Sequence, residues 1–537
     1  MESLAVHALL GLTVLYVVNR LFLTKRTPAP LPPGPSPKPI VGNLGDLPPS
    51  DAHHWEHWLK HKELYGPISS ISVFGQRIVI LNEAKVAFDL LEKRSVIHSS
   101  RPEQVFAGKM VGWENSLAVQ TYSDRFKSYR KAMHRVMGSK SVVSEFDSLQ
   151  DVEVRRFLLR VLRDPAGLVQ HLRTEAGAII LKIAYGYTID PHKPDILVDL
   201  ADQALGEFSK AAAPGKWLVD LVPMLKHIPT WFPGAQFKRT AQEWKARVVA
   251  TAEQPYAFVR QQMKLGSHKP SYVSSLLEAR PLGSHSEEEE WVIKWSAMSL
   301  YTGGADTTVA SLASFYLAMA LYPDVQRKAQ DELDRVVGCN KLPTFADREQ
   351  LPYIDALVKE VLRWHTVGPM GLPHTSTQDD IYEGYFIPKG SMFLPNIWFV
   401  LFILTHDQSS DTGRAFTHDP NVYKDPMVFN PERFLGPTPE PDPHTIAFGF
   451  GRRICPGRIL ADRTVYLGIA KSLAVFNFGK STEDQQPLFL PGVISHPAPY
   501  KLNITPRSPE HEELIRSVEI DHPWEESDAA ALRNLEY

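Results

Sequence analysis

The order of apolar and polar residues divides the chain into a few recognisable stretches. Leu4 to Leu23 (LAVHALLGLTVLYVVNRLFL) is mostly apolar, and about twenty such residues in a helix can cross a hydrocarbon core. His7, Asn19 and Arg20 interrupt it, and Arg20 is placed to snorkel to an interface. Ile68 to Ile80 alternates around Gly75 and predicts a β-hairpin. Trp291 to Tyr322 predicts a long helix stopped by Pro323. Most of the remaining chain predicts helices punctuated by proline and glycine. The pattern is mainly α with a smaller β region, without internal repeats.

Charge orients the first stretch. Lys25 and Arg26 follow it and no Lys or Arg precedes it, so the positive-inside rule places the bulk of the chain in the cytosol. A cleaved signal peptide needs a positive leading segment, which Met1-Glu2-Ser3 lacks. Residues 1–27 are therefore expected to be a membrane anchor. Pro28 to Pro39 carries prolines at closely spaced positions and predicts a stiff, extended hinge. His53, His57 and His61 share a face of the next helix, a pattern that suits a metal. Trp55, Trp58 and Leu59 favour instead a surface or membrane-touching amphipathic helix.

Composition narrows the classes. A net charge of −3 over 537 residues leaves no nucleic-acid footprint. Two cysteines, Cys339 and Cys455, exclude a disulfide framework and fit a reducing compartment.

Cys455 is the residue with the most chemistry around it. It ends the run Phe448-Gly449-Phe450-Gly451-Arg452-Arg453-Ile454-Cys455 and precedes Pro456-Gly457 and a helix beginning at Arg458. The glycines allow a tight fold against a large flat group, and the arginines supply cations for carboxylates. The helix N-terminus is expected to favour the thiolate. One thiolate, two cations and a glycine shelf suit a haem iron with propionate tails. A dinucleotide loop fails because Ile454 stands where a glycine is required. In the long helix, Gly303-Gly304-Ala305-Asp306-Thr307-Thr308 is poor helix-forming sequence. Its glycines permit close approach of a planar group, and Asp306 and Thr307 are placed to pass protons.

These segments resemble the cytochrome P450 family, from about Pro32 to about Pro506 and in the fungal microsomal type. The tail, Pro506 to Leu514 and Asp521 to Trp524, carries a likeness to mycotoxin-pathway members. The resemblance implies a cytochrome P450 fold spanning 40–537 as one unit behind an N-terminal transmembrane helix in the endoplasmic reticulum membrane. It implies haem b with Cys455 as axial ligand, Asp306 as proton relay and Thr307 as the alcohol that steadies activated oxygen. Arg453, Arg130 and His374 are implied propionate partners, and Phe448, Gly449 and Gly457 complete the haem shelf. Phe126 stands where the family has tryptophan. Glu360, Arg363 and Arg433 are implied to form a buried structural network. Phe106, Trp113, Leu117, Val119, Val309, Met370 and Leu372 are candidate pocket residues for an apolar substrate.

The implied reaction is monooxygenation, with electrons from NADPH through NADPH–cytochrome P450 reductase and cytochrome b5 as an optional second donor. The alternatives are a haem-thiolate isomerase or dehydratase, which Asp306 and Thr307 argue against, and a haem-binding sensor without turnover. Phe399 to Arg414 departs from the family pattern as an insertion. It is expected to be either a translated intron that keeps frame or a peripheral loop.

Overall fold

The computed structural model describes residues 27–49, 52–213, 215–281, 283–398, 417–420, 422–481, 486–533 and 535. Residues Leu4–Leu23 and the 399–414 insertion lie outside the described residues. The longer helices are α1 His54–Tyr65, α2 Asp124–Met137, α3 Asp147–Arg163, α4 Leu168–Tyr185, α5 Ile196–Ala211, α6 Gln236–Leu265, α7 Glu287–Leu321, α8 Pro323–Val336, α9 Pro352–Trp364 and α10 Arg458–Val475. The strands are β1 Ile68–Val73, β2 Gln76–Leu81, β3 His374–Thr375, β4 Asp380–Tyr382, β5 Tyr385–Ile387, β6 Met392–Pro395, β7 Phe476–Lys480 and β8 Leu502–Pro506. The result is mainly helical with small sheets, as the pattern predicts.

Helix α7 is the axis. It begins a turn before the expected Trp291, because Ser286 and Glu289 form a capping box and four glutamates, Glu287 to Glu290, occupy the positive first turn. Its first half, Ile293 to Tyr301, packs into an apolar cluster with α4, α5 and α6. Its second half, Val309 to Met319, packs into another with α3, α9 and α10. Gly303 to Thr307 crosses between the two. Such a helix is apolar all round because it is buried all round.

The main sheet runs β1-β2-β6-β3, with β2 and β6 parallel. The β1–β2 hairpin turns at Phe74 and Gly75, both at positive φ (46° and 84°), as a primed turn requires. Pairing of His374 with Phe393 ties β3 to β6 and fixes the histidine's place.

The proline segment, expected as a stiff hinge, is bonded to the rest of the chain from Pro30 on. Pro30 O accepts Phe386 N–H at 2.7 Å, Pro33 O accepts Ser70 N–H at 2.7 Å, and a Cβ on Gly34 would meet Ser70 O at 1.9 Å. One expectation changes further along. Helix α1 turns its tryptophans inward: Trp55 packs against Trp398, and both Trp55 and Trp58 are buried. Its histidines are spent separately, His53 on Glu56 and Phe489 O, His57 on Asp46 O and His61 on Ser69. Among the described residues no cluster suited to a metal ion occurs, and no single helix is long and apolar enough to cross a membrane.

Candidate active site

The cysteine loop is built on two left-handed glycines, Gly449 (φ 82°) and Gly451 (φ 50°). A Cβ on Gly451 would sit 2.6 Å from Leu91 O, so only glycine lets the loop pack there. The loop closes when Cys455 N–H donates to Phe448 O at 2.8 Å. Gly457 then precedes α10, and a Cβ there would lie 3.9 Å from the Cys455 sulfur. Burial pushes the Cys455 thiol up, against the Gly457 N–H and the Arg130 charge, which pull it down. The helix end is therefore weaker than the sequence suggests. A metal cation held at the sulfur would favour its anionic form.

Cys455 opens into a cavity of about 400 Å³ with mostly apolar walls. Phe448, Gly449 and Gly457 line it on the cysteine side, and Gly303, Gly304 and Thr307 line it from α7. The two helix glycines do different jobs. A Cβ on Gly303 would meet nothing within 4 Å, whereas one on Gly304 would meet Ile180 of α4 at 2.9 Å. Gly303 leaves room in the cavity and Gly304 lets two helices touch. Thr307 lines the cavity, and its hydroxyl donates to Gly303 O at 2.7 Å. Asp306 is not among the lining residues; His496 Nε2 lies 3.0 Å from Asp306 Oδ1 and 3.1 Å from Oδ2.

One rim of the cavity is basic. Arg453 is buried and donates to Ser99 O, Leu117 O and Gln120 O. Arg130 donates to Ile454 O at 2.7 Å. His374 donates from Nδ1 to His98 O at 2.8 Å. A fourth member was not foreseen: Arg101, buried, donates to Ala118 O, Leu372 O and Pro373 O. Among the described residues no carboxylate pairs with any of the three arginines. Burial, with Arg130 beside it, pushes Arg453 down to about 9. Burial and the Arg453 charge lower Arg101, and burial and Arg101 lower His374. Crowded arginines without a carboxylate partner, beside a His374 held toward its neutral form, leave this rim suited to an anion.

Comparison with known proteins agrees. The cytochrome P450 family profile matches residues 32–504. The chain belongs to the cytochrome P450 family. Cytochrome P450 monooxygenase ppsD of Aspergillus oryzae is 50% identical over 515 residues, 94% of each chain. The monooxygenase claR of Ampulloclitocybe clavipes is 47% identical over 529 residues, 97% of this chain and 94% of its own. O-methylsterigmatocystin oxidoreductase of Aspergillus flavus is 45% identical over 526 residues, 97% of this chain and 96% of its own. The protein is a cytochrome P450 monooxygenase.

The family implies a cysteine-ligated haem, and the residues present fit one. The sulfur and Gly303 both line the cavity, a Cβ on Gly303 would meet nothing within 4 Å, and the basic rim suits carboxylates such as propionates. Phe126 does not donate a hydrogen bond as tryptophan would. Its ring lies 3.8 Å from the Arg453 guanidinium carbon and holds that cation by its π face. Glu360, Arg363 and Arg433 form the expected buried P450 network.

Of the candidate substrate residues, Trp113, Leu117 and Leu372 line the cavity; Phe106, Val119, Val309 and Met370 do not. Phe106 stacks on Trp217 at 3.6 Å, Val309 faces the α3–α10 side, and Met370 packs beside Trp398. The missing walls come from α4 and α5, with Ile179, Ile180, Leu205 and Phe208, and from Val493 and Ile494. Those positions show only the ordinary apolar periodicity of core helices, so no signal in the sequence marks them.

Proposed function

We propose that this P450 inserts one atom of O₂ into an apolar small molecule, a polyketide, terpenoid or related mycotoxin-type scaffold of fungal secondary metabolism. The apolar cavity between Cys455 and Thr307 carries the proposal. The Aspergillus flavus relative is named for O-methylsterigmatocystin, which supports a scaffold of that general kind. When bound, the haem supplies oxygen activation and atom transfer. Arg101, Arg130, Arg453 and His374 would hold its carboxylates. The apolar walls orient the substrate and exclude water. Thr307 offers its hydroxyl to the cavity. His496 is part-exposed and holds its Nε2 against Asp306, one residue from Thr307, which supports a proton relay through Asp306. Expression in yeast with a reductase, followed by product profiling on polyketide and terpene scaffolds, tests the proposal. Haem-loaded protein that transforms none of them under NADPH would refute it.

Asp306→Asn should leave the carbon monoxide spectrum unchanged and lower product per NADPH consumed, with turnover falling on the order of 10²-fold. Unchanged coupling would remove Asp306 from the proton route.

The same reading includes NADPH–cytochrome P450 reductase as electron donor, cytochrome b5 as an optional one, and anchorage of residues 1–27 in the endoplasmic reticulum membrane with the catalytic unit facing the cytosol. Exposed Leu218, Met224, Trp231 and Phe232 between α5 and α6 support a lipid-facing side. Leu47, near the start of the chain, packs in one cluster with Leu221 of that segment. Full-length protein released from membranes by an alkaline wash would count against the anchor. For 399–414 we retain the translated-intron reading. The chain returns close to where it leaves, with Thr417 N–H and hydroxyl both donating to Ile397 O (3.2 and 3.0 Å). A transcript carrying the whole segment would end that reading in favour of a peripheral loop.

A further inference from the structure

A closed ionic ring of titratable groups lies at the root of the cysteine loop, with one member, Asp462, lining the cavity. Asp442 Oδ1 accepts from His444 twice, from N–H at 2.9 Å and from Nδ1 at 2.7 Å. The other ring nitrogen, Nε2, lies 3.0 Å from Asp462 Oδ1 in the second turn of α10. Asp462 accepts both Arg348 terminal nitrogens, at 2.6 and 2.9 Å. Arg348 also binds Asp355 Oδ1 of α9 at 2.8 and 3.0 Å. Lys359 closes the circuit, 3.1 Å from Asp355 and 3.7 Å from Asp442. Three cations alternate with three anions, and every member except Asp442 is at most 30% exposed.

The ring meets the haem site twice: Asp462 itself lines the cavity, and His444 faces Phe448. The His444 imidazole lies near-parallel to the Phe448 ring, at 5.9 Å and 22°. Phe448 lines the cavity, and its carbonyl accepts the Cys455 N–H. Scattered surface ion pairs contribute little. This one differs because both imidazole nitrogens are bonded to carboxylates from two separate segments, and because the ring joins α9, α10 and the loop between them.

We propose that His444, by bridging Asp442 and Asp462, is a positioning residue that fixes Phe448 and with it the loop that presents Cys455. The proposal rests on the reading that Cys455 ligates haem iron. Burial works against charge on His444, but its bonds to Asp442 and Asp462 outweigh it and push it up to about 9. Burial likewise favours neutral Asp462, yet His444 and Arg348 hold it well below the ordinary carboxylate range. Burial pushes Tyr466, under Arg348, up and out of this range. A group whose folded value is raised stabilises fully below its unfolded value, about 6.5 for histidine. That stabilisation is lost as pH rises through about 9. The loop should therefore loosen on the alkaline side of neutrality, and on the acid side only below about pH 4, where Asp442 and Asp462 begin to lose their stabilising charge.

The test follows the red-shifted Soret band of the reduced carbon monoxide complex in the full-length holoprotein. In the wild type, the rate at which this band is lost should rise about tenfold between pH 8 and pH 10. His444→Gln should lose the band about tenfold faster at pH 7.5 and show little further change to pH 10. His444→Arg, which keeps a cation at every pH, should stay slow at pH 10. The ferric–ferrous midpoint potential should bend more strongly near pH 9 in the wild type than in His444→Gln, the Arg453 contribution being common to both. A flat wild-type profile through pH 9, or a His444→Gln profile that overlays the wild type, overturns the proposal. If His444→Gln yields no holoprotein, the wild-type and His444→Arg profiles decide alone. Absence of the red-shifted band in haem-loaded wild type at neutral pH would instead overturn the assignment of Cys455.

Discussion

Cys455→Ser should abolish the red-shifted carbon monoxide band of the reduced protein and stop turnover, while leaving the fold largely in place. The sulfur sits in a loop whose shape depends on Gly449, Gly451 and the Phe448 carbonyl, none of which needs the thiol. Serine is nearly isosteric, so packing changes little. What it removes is a soft, electron-rich ligand, and thiolate donation is what favours O–O cleavage in this class of site. The other cysteine, Cys339, is exposed and follows α8, so it has no part in the cavity. Loss of a partner merely bonded to a metal ligand already costs about 10- to 100-fold. Loss of the ligand itself should cost more than about 100-fold in turnover. Optical spectra, haem content and circular dichroism on one preparation check this. A serine variant that kept both the band and activity would mean that the iron takes another ligand.

Glu360→Ala should have the largest effect on stability. Glu360 and Arg363 are completely buried on α9. The carboxylate accepts from Arg363 at 2.7 and 2.8 Å, from Arg433 at 3.3 Å and from the Asn430 N–H at 2.7 Å. Arg363 in turn donates to Thr417 O and Pro426 O. Removing one partner of a buried pair leaves an uncompensated charge and costs about 3–5 kcal/mol. Here two arginines lose the same acceptor, while a whole domain is stable by only about 5–15 kcal/mol. Little haem-loaded Glu360→Ala protein should accumulate, and what does should unfold in a lower denaturant range. Glu360→Gln keeps the shape without the charge and should fall between. Wild-type yield and midpoint for the alanine variant would show that the network is dispensable.

The two predictions draw on features that differ in how they can be read. The cysteine loop is legible because its requirements are local: positive φ at two glycines, a tight carbonyl contact and a helix start within a few residues. The Gly303–Thr307 stretch is legible for the same reason, since glycine and hydroxyl residues inside an apolar helix need an explanation. Glu360 and Arg363 are three apart on one helix face. The separate roles of Gly303 and Gly304 were not legible, because which one meets α4 depends on how two helices cross. Arg101 was missed because an arginine in a coil segment looks solvated until Leu372 and Pro373, far along the chain, offer it carbonyls.

Amphipathic period, turn chemistry and capping residues act over a few positions, so the chain's own order settles where helices, the hairpin and the thiol-bearing loop form. Partners hundreds of residues apart obey no such period. His496 beside Asp306, Phe126 beneath Arg453 and the ring through Arg348, Asp355, Asp442, His444 and Asp462 exist because packing of the two apolar clusters around α7 brought those segments together. Charge pairing and burial then gave these side chains their chemistry, and neither can be computed before the neighbours are known.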